Sequence, residues 1–223
     1  MVKKQMNGFG IRVFMPRREF SSNIYIVTHS ESGSAFIVDP GLIASDCEQT
    51  LKSVKHLEYI LLTHGHFDHI NAVGQVKAMF PDAKTVIHAL DGPKLLNDEL
   101  SLGYDFGAVN PYKHPADIIV NDGDSLPFCG AEIKVMHTPG HSAGSCVYIF
   151  GDILFTGDTL MKYSCGRTDF FDGSPKDMAL SLKRIYDLPG EYDIYAGHYY
   201  PTTLSRERRD NPSFMSFMLT SRD

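Results

Sequence analysis

A chain of 223 residues has room for one large domain or two small ones, and 43% hydrophobic beside 22% charged residues marks a globular rather than a disordered protein. A net charge of −6 excludes a broadly basic surface, and with it general binding to nucleic acid or anionic membranes. Tryptophan is absent, and ten histidines are many for this length.

The N-terminal stretch MVKKQMNGFGIRVF lacks the apolar core of an export signal, and no run approaches the roughly 18 apolar residues of a membrane span. A cytoplasmic protein without a membrane partner is therefore expected. Cys47, Cys129, Cys146 and Cys165 are scattered, with no C-x-x-C pair, and read as free thiols. In chain order, strands are predicted at Ile11–Met15, Ile24–Val27 and Ala35–Val38, each closed by turn residues, then a helix at Asp46–Val54 and a strand at Tyr59–Leu62. After a His-rich loop, apolar residues at Ala72, Val73, Val76, Met79 and Phe80 predict one helix over Asn71–Phe80. A strand at Thr85–His88 and a helix at Leu90–Asn97 follow. Asp98–Ala116, with turn signals beside Tyr104, Phe106 and Tyr112, reads as a long loop, either a lid or a surface excursion whose aromatics pack down.

The second half repeats the pattern, with strands at Ile118–Val120, Glu132–His137, Ser145–Phe150 and Ile153–Thr156, and a helix at Pro175–Tyr186 whose start is marked by Ser174-Pro175. A strand at Tyr192–Tyr195 and a polar segment, Leu204–Met218, complete the chain. Strand-rich blocks broken by amphipathic helices, once per half, point to an α+β architecture of two facing sheets with helices outside. No linker divides the sequence, so a single domain over residues 1–223 is expected.

The chemistry concentrates in Thr63-His64-Gly65-His66-Phe67-Asp68-His69, directly after a predicted strand. Imidazole nitrogen and carboxylate oxygen are the donors that hold zinc, iron or manganese, and Gly65 permits the tight loop that lets them converge. Four clustered ligands cannot all serve one ion from a short loop, so others should stand at strand-to-loop transitions beside glycine. His141, Asp158 and His198 do so, in Pro139-Gly140-His141, Gly157-Asp158 and Gly197-His198.

With these in order, the chain resembles the metallo-β-lactamase superfamily, and within it the short glyoxalase II-like (hydroxyacylglutathione hydrolase) branch. The resemblance runs from about Asp39 to the end of the chain, and the tail Pro201 through Pro212 also resembles the short members. It implies an αββα sandwich of two mixed sheets. It implies two divalent ions, zinc foremost with iron or manganese as alternatives. His64, His66 and His141 would hold one, Asp68, His69 and His198 the second, and Asp158 would bridge them. Two ions about 3.5–4 Å apart can share a hydroxide whose pKa falls toward neutrality. Asp68 and His69, by placing the second ion, are the residues expected to steady that nucleophile. A thiolate, with a pKa of about 8.5, leaves without a general acid, so such a site suits a thioester better than a peptide bond. The positive charge gathered there favours a small anionic substrate, such as a glutathione thioester.

His137 shares a strand face with Ile133 and Val135 and is expected to pack rather than to ligate. Asp39 is either the carboxylate that receives the far N–H of a ligand imidazole or simply a turn residue before Pro40-Gly41. Arg167, in Ser164-Cys165-Gly166-Arg167, resembles a glutathione-contacting position and could equally be solvated. Tyr200 falls where a glutathione-contacting Tyr follows the last ligand, although Tyr199 blurs the match. No C-terminal helical domain is expected beyond His198, so the grip on glutathione would be weaker, or supplied by another subunit, or the thiol partner would be different. Hydrolysis of S-lactoylglutathione or a related thioester is the leading reading. The alternatives are a mononuclear-iron persulfide dioxygenase, which shares Cys165-Gly166-Arg167-Thr168-Asp169-Phe170, and another superfamily hydrolase such as a lactonase or phosphodiesterase.

Overall fold

The computed structural model of the protein describes residues 3–6, 8–16, 21–110 and 112–214. The chain divides between Val120 and Asn121 into two compact units, each built on its own mixed sheet.

The first sheet takes its strands in sequence order: β1 (Lys3–Met6), β2 (Phe9–Phe14), β3 (Ile24–His29), β4 (Ser34–Val38), β5 (His56–Leu61), β6 (Lys84–His88) and β7 (Ile118–Val120). β1 to β4 pair antiparallel, and β4 to β7 pair parallel. Parallel pairing demands crossovers: α1 (Ser45–Leu51) lies between β4 and β5, and the short α2 (Phe67–Ile70) and α3 (Val73–Met79) lie between β5 and β6. The helices cover one face: Cys47, Leu51, Val73 and Val76 pack with Ile24, Ile26, Ile37, Ile60 and Ile87. The four central strands are buried along nearly their whole length, which is why they read as unbroken apolar runs rather than alternations.

The second sheet has the order β13 (Thr202–Thr203), β12 (Asp193–Ala196), β11 (Ile153–Gly157), β10 (Cys146–Phe150), β9 (Ala131–His137) and β8 (Ser125–Phe128). Only β11 and β12 pair parallel, joined through α4 (Pro175–Tyr186); α5 (Leu204–Asp210) follows β13. In α4, Met178, Ser181, Leu182 and Ile185 are buried at the spacing of one helical face. Ser174 caps its start by accepting from the Asp177 amide, and Pro175 occupies the first turn, where no N–H is needed.

Strand direction decides where loops emerge. β4, β5 and β6 are parallel, so the segments after them, opening at Asp39, Leu62 and Ala89, leave one edge of the first sheet. β9, β11 and β12 likewise run one way, so His141, Asp158 and His198 follow strand ends on one edge of the second. This is the carboxyl edge at which open α/β sheets collect ligands.

Several expectations are adjusted. The helix expected over Asn71–Phe80 is α3, Val73–Met79, preceded by Ala72, whose amide donates to the Pro40 carbonyl, and the segment read as a His-rich loop carries the short α2. The helix expected over Leu90–Asn97 is a single 3-10 turn, Gly92–Leu95, with Pro93 in its first turn. β1, β8 and β13 were not anticipated; β8 contains Pro127, which an edge strand tolerates. Residues 215–218 of the expected polar segment lie outside the described residues. The four cysteines are free thiols. Among the described residues no helix is long and apolar enough to cross a membrane.

Leu182 and Leu180 sit on opposite faces of α4, 3% and 55% exposed. Leu182→Ala is expected to lower unfolding free energy by about 2–4 kcal/mol and Leu180→Ala by less than about 0.5 kcal/mol, read from urea transitions of equal slope.

Candidate metal centre

In the first unit the site begins with Asp39. Its backbone takes a left-handed φ of 50°, its carboxylate is buried, and three donors converge on it. The Thr63 amide donates to Oδ1 at 2.8 Å, the Thr63 hydroxyl to Oδ2 at 2.7 Å, and His69 Nδ1 lies 2.9 Å from Oδ2. The same Thr63 hydroxyl stands 3.1 Å from His64 Nδ1. The buried rings of His64, His66 and His69 cluster, with centroids 4.6 Å (His64–His66) and 4.1 Å (His64–His69) apart. Gly65, between the first two, donates its amide to Asp91 Oδ2 at 2.7 Å, and Lys94 Nζ lies 3.1 Å from the other carboxylate oxygen.

In the second unit His141 is held by backbone. Its Nδ1 is 2.8 Å from the Arg167 carbonyl, and the Gly166 amide donates to the Asp158 carbonyl at 2.7 Å. A Cβ at Gly166 would lie 2.2 Å from that carbonyl and 2.8 Å from His141 Nδ1, so only glycine lets this loop reach both. The loop before His141 is pinned to α4: the Ser181 hydroxyl donates to the Pro139 carbonyl, and the Ser174 amide to the Gly140 carbonyl.

These contacts fix the imidazole tautomers. A carboxylate or carbonyl oxygen cannot donate, so Nδ1 of His69 and of His141 carries the proton. The Thr63 hydroxyl gives its hydrogen to Asp39 and so accepts from His64 Nδ1. In the neutral ring the lone pair is then on Nε2, the nitrogen a metal takes. His69 Nε2 lies 3.7 Å from Asp68 Oδ2, and the Nε2 atoms of His141 and His198 each lie 3.5 Å from Asp158 Oδ2. Two ligand atoms each about 2.1 Å from a shared tetrahedral ion stand about 3.4 Å apart, whereas a direct hydrogen bond is nearer 2.9 Å. The spacing is that of ligands around a cation, and the donor set suits a divalent metal of the zinc, iron or manganese kind. His64, His66, Asp68, His69, His141, Asp158 and His198 are all among the described residues able to hold one.

Other predicted residues stand as follows. His137 is half-buried, with its Nε2 2.8 Å from the Ala143 carbonyl. The Arg167 side chain is exposed, forms a bidentate pair with Asp169 at 2.6 and 2.7 Å and lies over the Phe170 ring. The pairing raises the Arg167 pKa and lowers that of Asp169 to about 2. Tyr200 is exposed, with Lys162 Nζ 5.9 Å from its ring centre. Sequence reasoning missed Thr63, Asp91 and Gly41. A Cβ at Gly41 would stand 1.6 Å from the Asp68 carbonyl oxygen, so Asp39-Pro40-Gly41 is pressed against the ligand loop. Glycine directly after a turn proline was the available signal for that approach.

The sequence pattern of the metallo-beta-lactamase superfamily matches residues 17–198, and the chain belongs to that superfamily. An uncharacterized protein of Aquifex aeolicus is 37% identical over 89% of this chain and 94% of its own length. A hydroxyacylglutathione hydrolase of Aeromonas hydrophila is 34% identical over 85% of this chain and 65% of its own. The human mitochondrial persulfide dioxygenase ETHE1 is 32% identical over 84% of this chain and 69% of its own. Among solved structures, the BLEG-1 B3 metallo-β-lactamase superposes with a TM-score of 0.83 at 31% identity, over 91% of this chain and 98% of its own. TTHA1623 in a di-iron-bound form does so with 0.77 at 31% identity, over 90% and 98%. The metallo-β-lactamase sandwich implied by the sequence resemblance is the fold of this chain.

Asp39→Asn puts an amide where the carboxylate accepts three donors. Metal affinity, read by chelator competition, is expected to fall about 10- to 100-fold with the fold intact by circular dichroism; unchanged affinity would contradict the role given to Asp39.

Proposed function

We propose that this superfamily member hydrolyses acyl-thioesters of the S-lactoylglutathione type at a pair of divalent ions, zinc foremost, with iron or manganese as alternatives. The ligand assignment proposed is His64, His66 and His141 for one ion, Asp68, His69 and His198 for the other, and Asp158 shared. The observation that carries this reading is the placement of Nε2 atoms 3.5–3.7 Å from the Asp68 and Asp158 carboxylates, with their Nδ1 edges tied where the structure records a partner. The similarity to a hydroxyacylglutathione hydrolase supports the substrate class.

Bound divalent ions supply Lewis acidity and lower the pKa of water toward neutrality. The chain's own residues hold the geometry. Asp39 fixes His69 directly and His64 through Thr63, so neither ring needs to turn when charge develops on the substrate. Asp158 lies equidistant from His141 and His198 Nε2, the position of a carboxylate serving both. A thiolate leaves unprotonated at neutral pH, so no further acid is required of the chain. The anion-binding roles proposed for Arg167 and Tyr200 differ in cost, because Arg167 must exchange Asp169 for a substrate carboxylate.

The persulfide dioxygenase reading rests on Cys165–Phe170 and on the similarity to human ETHE1. Elemental analysis and two assays separate them. The hydrolase reading expects two ions per chain, free thiol released from S-lactoylglutathione, and loss of about 100-fold or more in His66→Ala and Asp158→Ala. One iron per chain with oxygen consumed on glutathione persulfide, and no thiol released, overturns it. Removing metal with a chelator is expected to abolish turnover and adding it back to restore turnover.

A further inference from the structure

The sequence leaves Asp98–Ala116 open to two readings, a lid or a packed surface excursion, and the contacts of residues 98–110 describe a third. It is fastened at both ends and in the middle. The Asn110 amide donates to Asp98 Oδ1, which also pairs with Lys113, and the Tyr104 amide donates to the Asp98 carbonyl. Within it, the Ala108 amide reaches the Gly103 carbonyl at 2.7 Å. Toward the ligand helix, the Phe67 amide donates to the Ser101 carbonyl at 2.9 Å, and a Cβ at Gly103 would lie 3.4 Å from Phe67 Cβ. Such a segment is a fixed platform rather than a flap.

Leu102 is buried, but three other apolar residues face outward. Tyr104, Phe106 and Val109 are 70%, 42% and 66% exposed. The Phe106 ring stacks on Phe67, centroids 5.2 Å apart at 24°. Phe67 is itself buried and stands between His66 and Asp68, two residues of the ligand motif. Phe106 thus stacks on the residue that stands in sequence between two of the assigned ligands, and an apolar group laid over it would take apolar area out of water. A lactoyl group, short and hydroxylated, leaves that surface wet.

We infer that Phe106, on the platform anchored through Phe67, is a specificity-determining residue that selects substrates with an apolar acyl chain over lactoyl. This rests on the thioester hydrolase reading and narrows its substrate class. Burying one methylene corresponds to at most about a fourfold gain, so kcat/KM is expected to rise about two- to fourfold per methylene.

The test uses S-acetyl-, S-butyryl- and S-hexanoylglutathione beside S-lactoylglutathione, so that only the acyl group changes. Wild type and Leu180→Ala, an exposed leucine on α4, are expected to show the rise with chain length; Phe106→Ala is expected to flatten it and Phe106→Leu to keep part of it. Metal content and thermal unfolding are measured on every variant, and Phe106→Leu carries the comparison if Phe106→Ala does not fold. A wild type indifferent to chain length, or faster on lactoyl than on hexanoyl, overturns the inference while leaving thioester hydrolysis standing. An unchanged slope in both Phe106 variants also overturns it. Wild type that turns over none of the four overturns the hydrolase reading and this inference with it.

Discussion

Burying a carboxylate is costly unless donors replace the water it loses, and Asp39 meets that demand with the Thr63 amide, the Thr63 hydroxyl and the His69 imidazole. Its φ of 50° costs on the order of 1 kcal/mol for a residue other than glycine. What holds it there is the parallel pairing of β4 with β5, which aligns Val38 with Leu61 and lets the Asp39 amide donate to the Leu61 carbonyl. Sheet register, a strained backbone and a buried charge therefore converge on one outcome: two imidazoles whose proton sits on Nδ1 before any metal arrives.

The second unit solves the same problem without a carboxylate. His141 gives its Nδ1 proton to the Arg167 carbonyl, and the Gly166 amide steadies Asp158 from the same loop. Ser164-Cys165-Gly166-Arg167 thus holds His141 and Asp158 through its main chain, while the Arg167 side chain turns to Asp169. Behind that loop stands a second buried carboxylate: Glu207 accepts the Tyr163 amide, the Thr202 hydroxyl and the Asn211 side chain, and Asn211 donates on to the Met161 and Ser164 carbonyls. The motif in the tail, Glu207 through Asn211, is explained by this support of the 161–166 segment.

The ligand motif was legible because it is local: four donors in six residues need no tertiary knowledge. The central strands were legible from their apolar runs, and α4 from its cap and its face. Asp39 could be suspected from the chemistry of ligand imidazoles, but nothing in the sequence says that Thr63 links it to His64. Asp91 under Gly65, Gly41 against Asp68 and Gly166 against His141 are approaches between residues distant in sequence, and a glycine alone does not announce what passes beside it. The short edge strands β8 and β13 were missed for a related reason, since four and two residues carry too little period to read. Arg167 shows how a side chain can draw attention from its own carbonyl.

If contacts within each unit set the imidazoles in advance, their tautomers must be visible without metal. Long-range 1H–15N correlation spectra of metal-free protein labelled at histidine nitrogen read this directly at neutral pH. His64, His69 and His141 are predicted to carry their proton on Nδ1, with added zinc moving the Nε2 resonances and leaving the Nδ1 protons in place. An Nε2–H tautomer at His69 or His141, or rings averaging between the two forms, would contradict the account.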